Sequence, residues 1–153
     1  MASIVSPKKE YEAIIKSRGS GSKNENSGSG ITREEYKSMT FTQMVINEAV
    51  RPANIVPGIF KKVINEGTIY VDFARYTIPA NWLIMVVPSI THLSHHIYND
   101  PLKFNPRRWE GKELHIGSKT FMACGGGSRL CVGADFAKLA MAIFLFHLVT
   151  KYK

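Results

Sequence analysis

Forty residues, Pro88 to Gly127, separate the β-rich middle of this chain from its terminal helix. They carry only short, turn-rich segments such as DPLKFNPRRW and EGKELHIGSK. Connections in compact domains usually run about 4–6 residues, so a coil of that length constrains the fold strongly. Two or three helices, a small sheet, this coil and one last helix form no closed layer architecture by themselves. The expectation is a piece of something larger.

The other elements follow from periodicity and punctuation. Ser6 suits the cap and Pro7 the first position of an opening helix whose Tyr11, Ile14 and Ile15 share a face. The run SRGSGSKNENSGSG, residues 17–30, holds no large apolar side chain and reads as a flexible linker. Thr32 with Glu35 makes a capping box, and Thr40 with Gln43 a second one that opens TFTQMVINEAVR. In that helix Phe41, Met44, Val45 and Glu48 fall on one stripe, and Arg51 lies within reach of Glu48. Pro52 is expected to end it abruptly. TIYVDFARYTI and WLIMVV are β-branched and aromatic, with a turn at Pro79, Ala80 and Asn81 between them. From about Ala134, Phe136, Leu139, Ala140, Ile143 and Phe144 recur at helical spacing.

With 153 residues, 44 % of them apolar, there is material for a core. Twenty Lys and Arg against twelve Asp and Glu leave +8, a balance that suits an acidic partner. No aromatic–basic interleaving or nucleic-acid motif accompanies that charge. Two cysteines cannot build a disulfide framework. No run is long and apolar enough for a membrane span, and none reads as a signal peptide or anchor.

The stretch that carries chemistry is FMACGGGSRLCVGA, from Phe121 to Ala134. Three glycines let backbone pass close to something flat or bulky. Cys131 follows at the mouth of a helix, facing its dipole and free N–H groups, a setting for a metal ligand or a nucleophile. Arg129 could pair with an anion beside it. A phosphate loop is excluded because no Gly-Lys-Ser/Thr follows. Zinc is excluded because Cys124, Cys131 and the five histidines lack paired spacing. A nucleophile would lack an assigned base, and the plain alternative is a buried cysteine after a glycine turn.

Gly127-x-Arg129-x-Cys131-x-Gly133 resembles the haem-binding loop of the cytochrome P-450 family, the haem-thiolate monooxygenases. Three further features agree in order. Glu48-x-x-Arg51 is similar to that family's helix-K motif, Phe104-Asn-Pro106-Arg-Arg108-Trp109 resembles its meander, and Asp100-Pro101 stands before the meander. ANIVPGIF and YTIPANW are most similar to plant members that oxidise triterpenoids, sterols and brassinosteroid-type lipids.

The resemblance implies a mainly α fold with a small β region, the C-terminal part of the cytochrome P-450 fold: helices J and K, β hairpin region, meander, cysteine loop and helix L. On residues 1–153 it places a linker at 17–30, helix K at 36–51, the β region and meander at 52–109, the haem loop at 121–133 and helix L at 134–153. It implies haem b (iron protoporphyrin IX) as cofactor, with the Cys131 thiolate as axial iron ligand. Arg129 would pair with a haem propionate and Lys61 with another. Gly127 and Gly133 would let the loop and the last helix approach the porphyrin. Glu48, Arg51 and Arg108 would form a buried ion network, structural rather than catalytic. The implied partners are an NADPH-dependent flavoprotein reductase, docking near Lys112, Lys119 and Lys138, and a hydrophobic small-molecule substrate. No nucleic acid is expected, and the implied location is the endoplasmic reticulum membrane.

The resemblance reaches only the C-terminal third of a family member. The oxygen-activating helix and the substrate-binding segments have no counterpart here, so the chain is expected to be inactive alone and, though without an anchor, prone to aggregate. Cys124 stands where the family's loop usually begins with phenylalanine. Pro52 disfavours helical geometry at Arg51. Two other functions stay open: a haem-binding or interaction module without turnover, and a basic binding protein.

Overall fold

The computed structural model describes residues 7–20, 30–71, 74–112 and 118–152. Ser6, the expected first cap, and most of the expected linker, residues 21–29, lie outside them. Helix α1 (Pro7–Ser20) runs further than its apolar stripe suggests and takes in the start of that linker. The reason is tertiary: Arg18 holds the Glu35 carboxylate through two bonds of 2.6 Å and the Gly30 carbonyl at 2.9 Å. Tyr11 and Ile14 are buried, whereas Ile15 is exposed.

Helix α2 (Arg33–Ser38) opens on the capping box of Thr32 and Glu35. Helix α3 (Thr40–Ala53) does not open on a box of its own. Its N-cap is Met39, and Gln43 donates instead to the Tyr36 carbonyl. The cap comes from α1: the Glu10 carboxylate accepts from the N–H groups of Phe41 (2.9 Å) and Thr42 (3.1 Å) and from the Thr42 hydroxyl (2.6 Å). Two otherwise orphaned donors are thus satisfied by a side chain thirty residues away in sequence. The break at Met39 divides the helix expected over 36–51, which reaches Ala53 with Pro52 in its last turn. Asn54, at φ 46°, ends it. Arg51 stays helical because four hydrogen bonds hold its guanidinium, outweighing the bias that a following proline exerts.

The β region is two hairpin-like pairs rather than one pair across Pro79-Ala80-Asn81. β1 (Ile59–Lys62) pairs antiparallel with β4 (Leu83–Val86), Ile59 opposite Val86 and Lys62 opposite Leu83. β2 (Gly67–Val71) pairs with β3 (Ala74–Ile78), so the run TIYVDFARYTI is itself two strands. Pro79 cannot donate to a ladder, and the next residues return to β1: Asn81 N–H reaches the Val63 carbonyl at 2.7 Å, and Val63 N–H reaches that of Trp82 at 2.9 Å. Helix α4 (Pro88–His92) follows, then a one-turn 3₁₀ helix at Pro106–Trp109 and a shorter one at Gly127–Arg129. Helix α5 (Ala134–Lys151) closes the chain.

Two clusters form the interior. Tyr11, Ile14, Met39, Ile46, Ala142 and Phe146 join α1, α3 and α5, with Tyr11 edge-on to Phe146 at 5.2 Å. Tyr98, Trp109 and Phe121 form the second, Trp109 lying 4.9 Å from Phe121. It ties the Pro106–Trp109 turn to the residue that begins the cysteine loop. On α5 the buried residues are Ala134, Ala142 and Phe146, while Phe136 and Phe144, two of the residues at helical spacing, are 76 % and 63 % exposed. That helix is apolar nearly all round, so its sequence alone selects no single face.

Candidate functional site

Cys131 is exposed, not the buried cysteine of the plain reading. The loop that presents it turns at Gly125 (φ 83°) and Gly127 (φ 70°), where any side chain would be strained. Leu130 N–H then closes on the Gly127 carbonyl, and Cys131 N–H donates to the Cys124 carbonyl at 3.1 Å. Gly133, by contrast, sits at φ −89°, open to any residue, and a Cβ there would meet Cys131 Sγ at an ordinary 3.9 Å. Its expected role of easing the helix start therefore does not rest on its backbone angle. Cys124 is half-buried, and burial, with Cys131 nearby, pushes its thiol up.

Both cysteines border one hollow of about 390 Å³, walled by Val50, Ile55, Val56, Ile59 and Met122 and edged by Arg129. A second hollow of about 260 Å³ shares Ile59, Met122, Gly125 and Arg129 and adds Lys61 from β1 and Lys119. Arg129 and Lys61, proposed from sequence as a pair of anion partners, thus edge the same cleft; Lys119 joins them there. Lys112 lies over the Trp109 ring at 6.0 Å, and Lys138 over Phe121 at 5.9 Å. Burial pushes the Lys138 ammonium down, so it is not a freely solvated charge.

Behind the loop stands the ion network. Glu48 is 0 % and Arg51 1 % exposed. The Glu48 carboxylate accepts from Arg51 Nη2 (2.9 Å) and Nε (3.1 Å), Arg108 Nε (3.1 Å), the Asn105 N–H (3.0 Å) and the Trp109 indole (3.0 Å). Burial alone would disfavour its charge, but the bonds from Arg51 and Asn105 and the charges of Arg51 and Arg108 outweigh it and hold the carboxyl below the ordinary range. Arg51 also donates to the carbonyls of His92 (2.7 Å) and Pro101 (2.6 Å), and Arg108 to those of Asn99, Asp100 and Lys103. One carboxylate and two guanidiniums therefore hold the coil between His92 and Trp109.

Two residues of this arrangement escape a sequence reading. Trp109 lies inside the quoted meander motif, yet only the fold reveals that its indole completes the Glu48 shell. His92 is fully buried and accepts the Met122 N–H at Nε2, 2.9 Å away, which pins the start of the cysteine loop to α4. Burial pushes its imidazole down, in keeping with a neutral ring whose Nε2 is an acceptor. Its neighbours His95 and His96 are exposed, and spacing gives no hint which of the three is structural.

The residues present suit haem: one exposed thiol, an apolar wall and cations at one edge for two carboxylates. Among the described residues no three histidine, cysteine or carboxylate side chains gather where they could share a metal ion. Among them, too, no helix is long and apolar enough to cross a membrane.

Comparison with known proteins points the same way. Residues 12–153 match the family model described as cytochrome P450. The chain is 54 % identical over 146 residues to cytochrome P450 87A3 of Oryza sativa subsp. japonica, covering 95 % of this chain and 26 % of that protein. It is 41 % identical over 145 residues to the beta-amyrin 16-alpha-hydroxylase CYP87D16 of Maesa lanceolata, covering 95 % of this chain and 28 % of that one. The solved structure of retinoic acid-bound cyanobacterial CYP120A1 superposes with a TM-score of 0.67 at 26 % identity, over 92 % of this chain and 31 % of that one. The chain thus spans about a quarter of the length of these curated relatives and has the fold of their C-terminal part. An ion network bracing the meander, an exposed cysteine on a glycine loop and a match from residue 12 to the end leave one conclusion: the chain belongs to the cytochrome P450 family.

Proposed function

We propose that this chain supplies the thiolate side of the haem site of a monooxygenase acting on plant lipids of the triterpenoid or sterol kind. The observation that carries this reading is the exposed Cys131 thiol on a shared apolar hollow edged by Arg129. Held by a cysteine thiolate, haem supplies oxygen activation, because the thiolate's electron donation favours O–O cleavage. Cys131 would be the iron ligand, and Arg129 and Lys61 would receive the propionate carboxylates. Gly125 and Gly127 keep the loop thin, and His92 and the Glu48 network hold its near end in place. The substrate class follows from likeness to a beta-amyrin hydroxylase. Electrons would come from an NADPH-dependent flavoprotein reductase at the endoplasmic reticulum, which Lys112 and Lys119, both exposed, would help to meet.

Haem titration of the purified chain tests the site. Arg129→Ala and Lys61→Ala should each weaken haem uptake several-fold while keeping the thiolate signature. Uptake unchanged in both would remove them from the site. With reductase, NADPH and a triterpenoid or sterol, the 153 residues alone should form no hydroxylated product above a haem-only control.

A further inference from the structure

The mechanism uses one cysteine of the loop and leaves the other unexplained. We infer that Cys124 and Cys131 form a reversible disulfide across the mouth of the hollow, a modification that occupies the thiol meant for iron. Cys131 N–H donates to the Cys124 carbonyl at 3.1 Å. That bond brings the backbones of the two residues together, the approach that a disulfide with Cα atoms roughly 4.4–6.8 Å apart requires. Both residues line the same hollow. Gly125 and Gly127, both at positive φ, form the bend between them. Exposure differs usefully: Cys131 is open to a soluble oxidant and Cys124 is half-sheltered behind it.

Glutathione disulfide serves as the oxidant. The Cys131 thiolate attacks one of its sulfurs, forming a mixed disulfide and releasing one glutathione thiolate, which takes up a proton. Cys124 then loses its proton and attacks the Cys131 sulfur, releasing the second glutathione. Two thiols lose two electrons and two protons, and glutathione disulfide gains them. Dithiothreitol reverses the exchange. The bond itself stands independently of the function proposed above; its consequence for haem rests on that reading.

The test is mass spectrometry of the purified chain after equilibration with glutathione disulfide, before and after dithiothreitol. The expected product is a monomer lighter by two hydrogens. In its tryptic digest the peptide ending at Arg129 should be joined to the one beginning at Leu130, and the joined species should be absent in Cys124→Ser. Two free thiols, separate glutathione adducts or a link between two chains would overturn the proposal. Haem added to the oxidised chain should give no thiolate signature, regained on reduction, whereas Cys124→Ser, which lacks the resolving thiol, should lose that signature only to the extent that a glutathione adduct on Cys131 is found. A demonstrated disulfide together with an undiminished thiolate signature would overturn the competition. If no form of the chain gives that signature while the joined peptides are found, the haem reading fails and the disulfide stands.

Discussion

Glu48 is buried among five donors, so the energy of the network lies in what its loss would strand. Glu48→Gln keeps the shape but leaves Arg51 buried without a counter-charge. Breaking one side of a buried pair costs about 3–5 kcal/mol, and urea unfolding should show a loss of that order. A change under about 1 kcal/mol would mean the network is replaceable by water. Acid probes the same neighbourhood. The Glu48 carboxyl lies below its ordinary 4.5 and the His92 imidazole below its ordinary 6.5. In both cases the unfolded chain binds the proton more readily, so stability present at neutral pH is lost on acidification. The unfolding midpoint should be flat above the ordinary histidine value, decline below it as the unfolded chain protonates His92, and decline further below the ordinary glutamate value. A midpoint that rises on acidification contradicts this. In the sequence, Glu48, Arg51, Arg108, Arg129 and Cys131 stood out because motif spacing marks them. His92 and Trp109 did not, since a buried imidazole and an indole donor acquire meaning only from partners far along the chain.

At the scale of elements, what is local was legible and what is supplied from elsewhere was not. The box of Thr32 and Glu35 is written in four consecutive residues. The cap of α3 is a carboxylate on α1, invisible to any short window. Glu10→Gln should therefore lower stability by about 1 kcal/mol, with the first turn of α3 losing hydrogen-exchange protection before the rest. Uniform exchange along α3 would argue that Glu10 is incidental. A run of β-formers does not disclose the fold-back that makes β2 and β3 of it, and an apolar helix such as α5 does not disclose its inward face. The glycines of the loop separate in the same way. Gly127→Ala forces a side chain into positive φ and should cost about 1 kcal/mol or more, whereas Gly133→Ala should be near neutral. Equal losses would show that the loop demands something other than backbone freedom.

Over the whole molecule, the described stretches of the long coil, residues 88–112 and 118–127, are tied down by buried charge and by an aromatic cluster. The same chain leaves Phe136, Phe144, Phe60 and Trp82 exposed, and apolar side chains of that size favour association where they form a contiguous patch. The purified chain should bind a hydrophobic dye and self-associate in sedimentation. Phe136→Lys with Phe144→Lys should reduce both effects and leave the helical circular dichroism unchanged. A sharp cooperative melt of a non-associating monomer would contradict this view. Whether Cys131 meets iron is read from an absorption spectrum. The reduced chain, loaded with haem and exposed to carbon monoxide, should show the red-shifted Soret band of a thiolate–carbonyl complex, and Cys131→Ser should lose it. A band at the position typical of a histidine-ligated haem, unchanged by Cys131→Ser, would contradict the account.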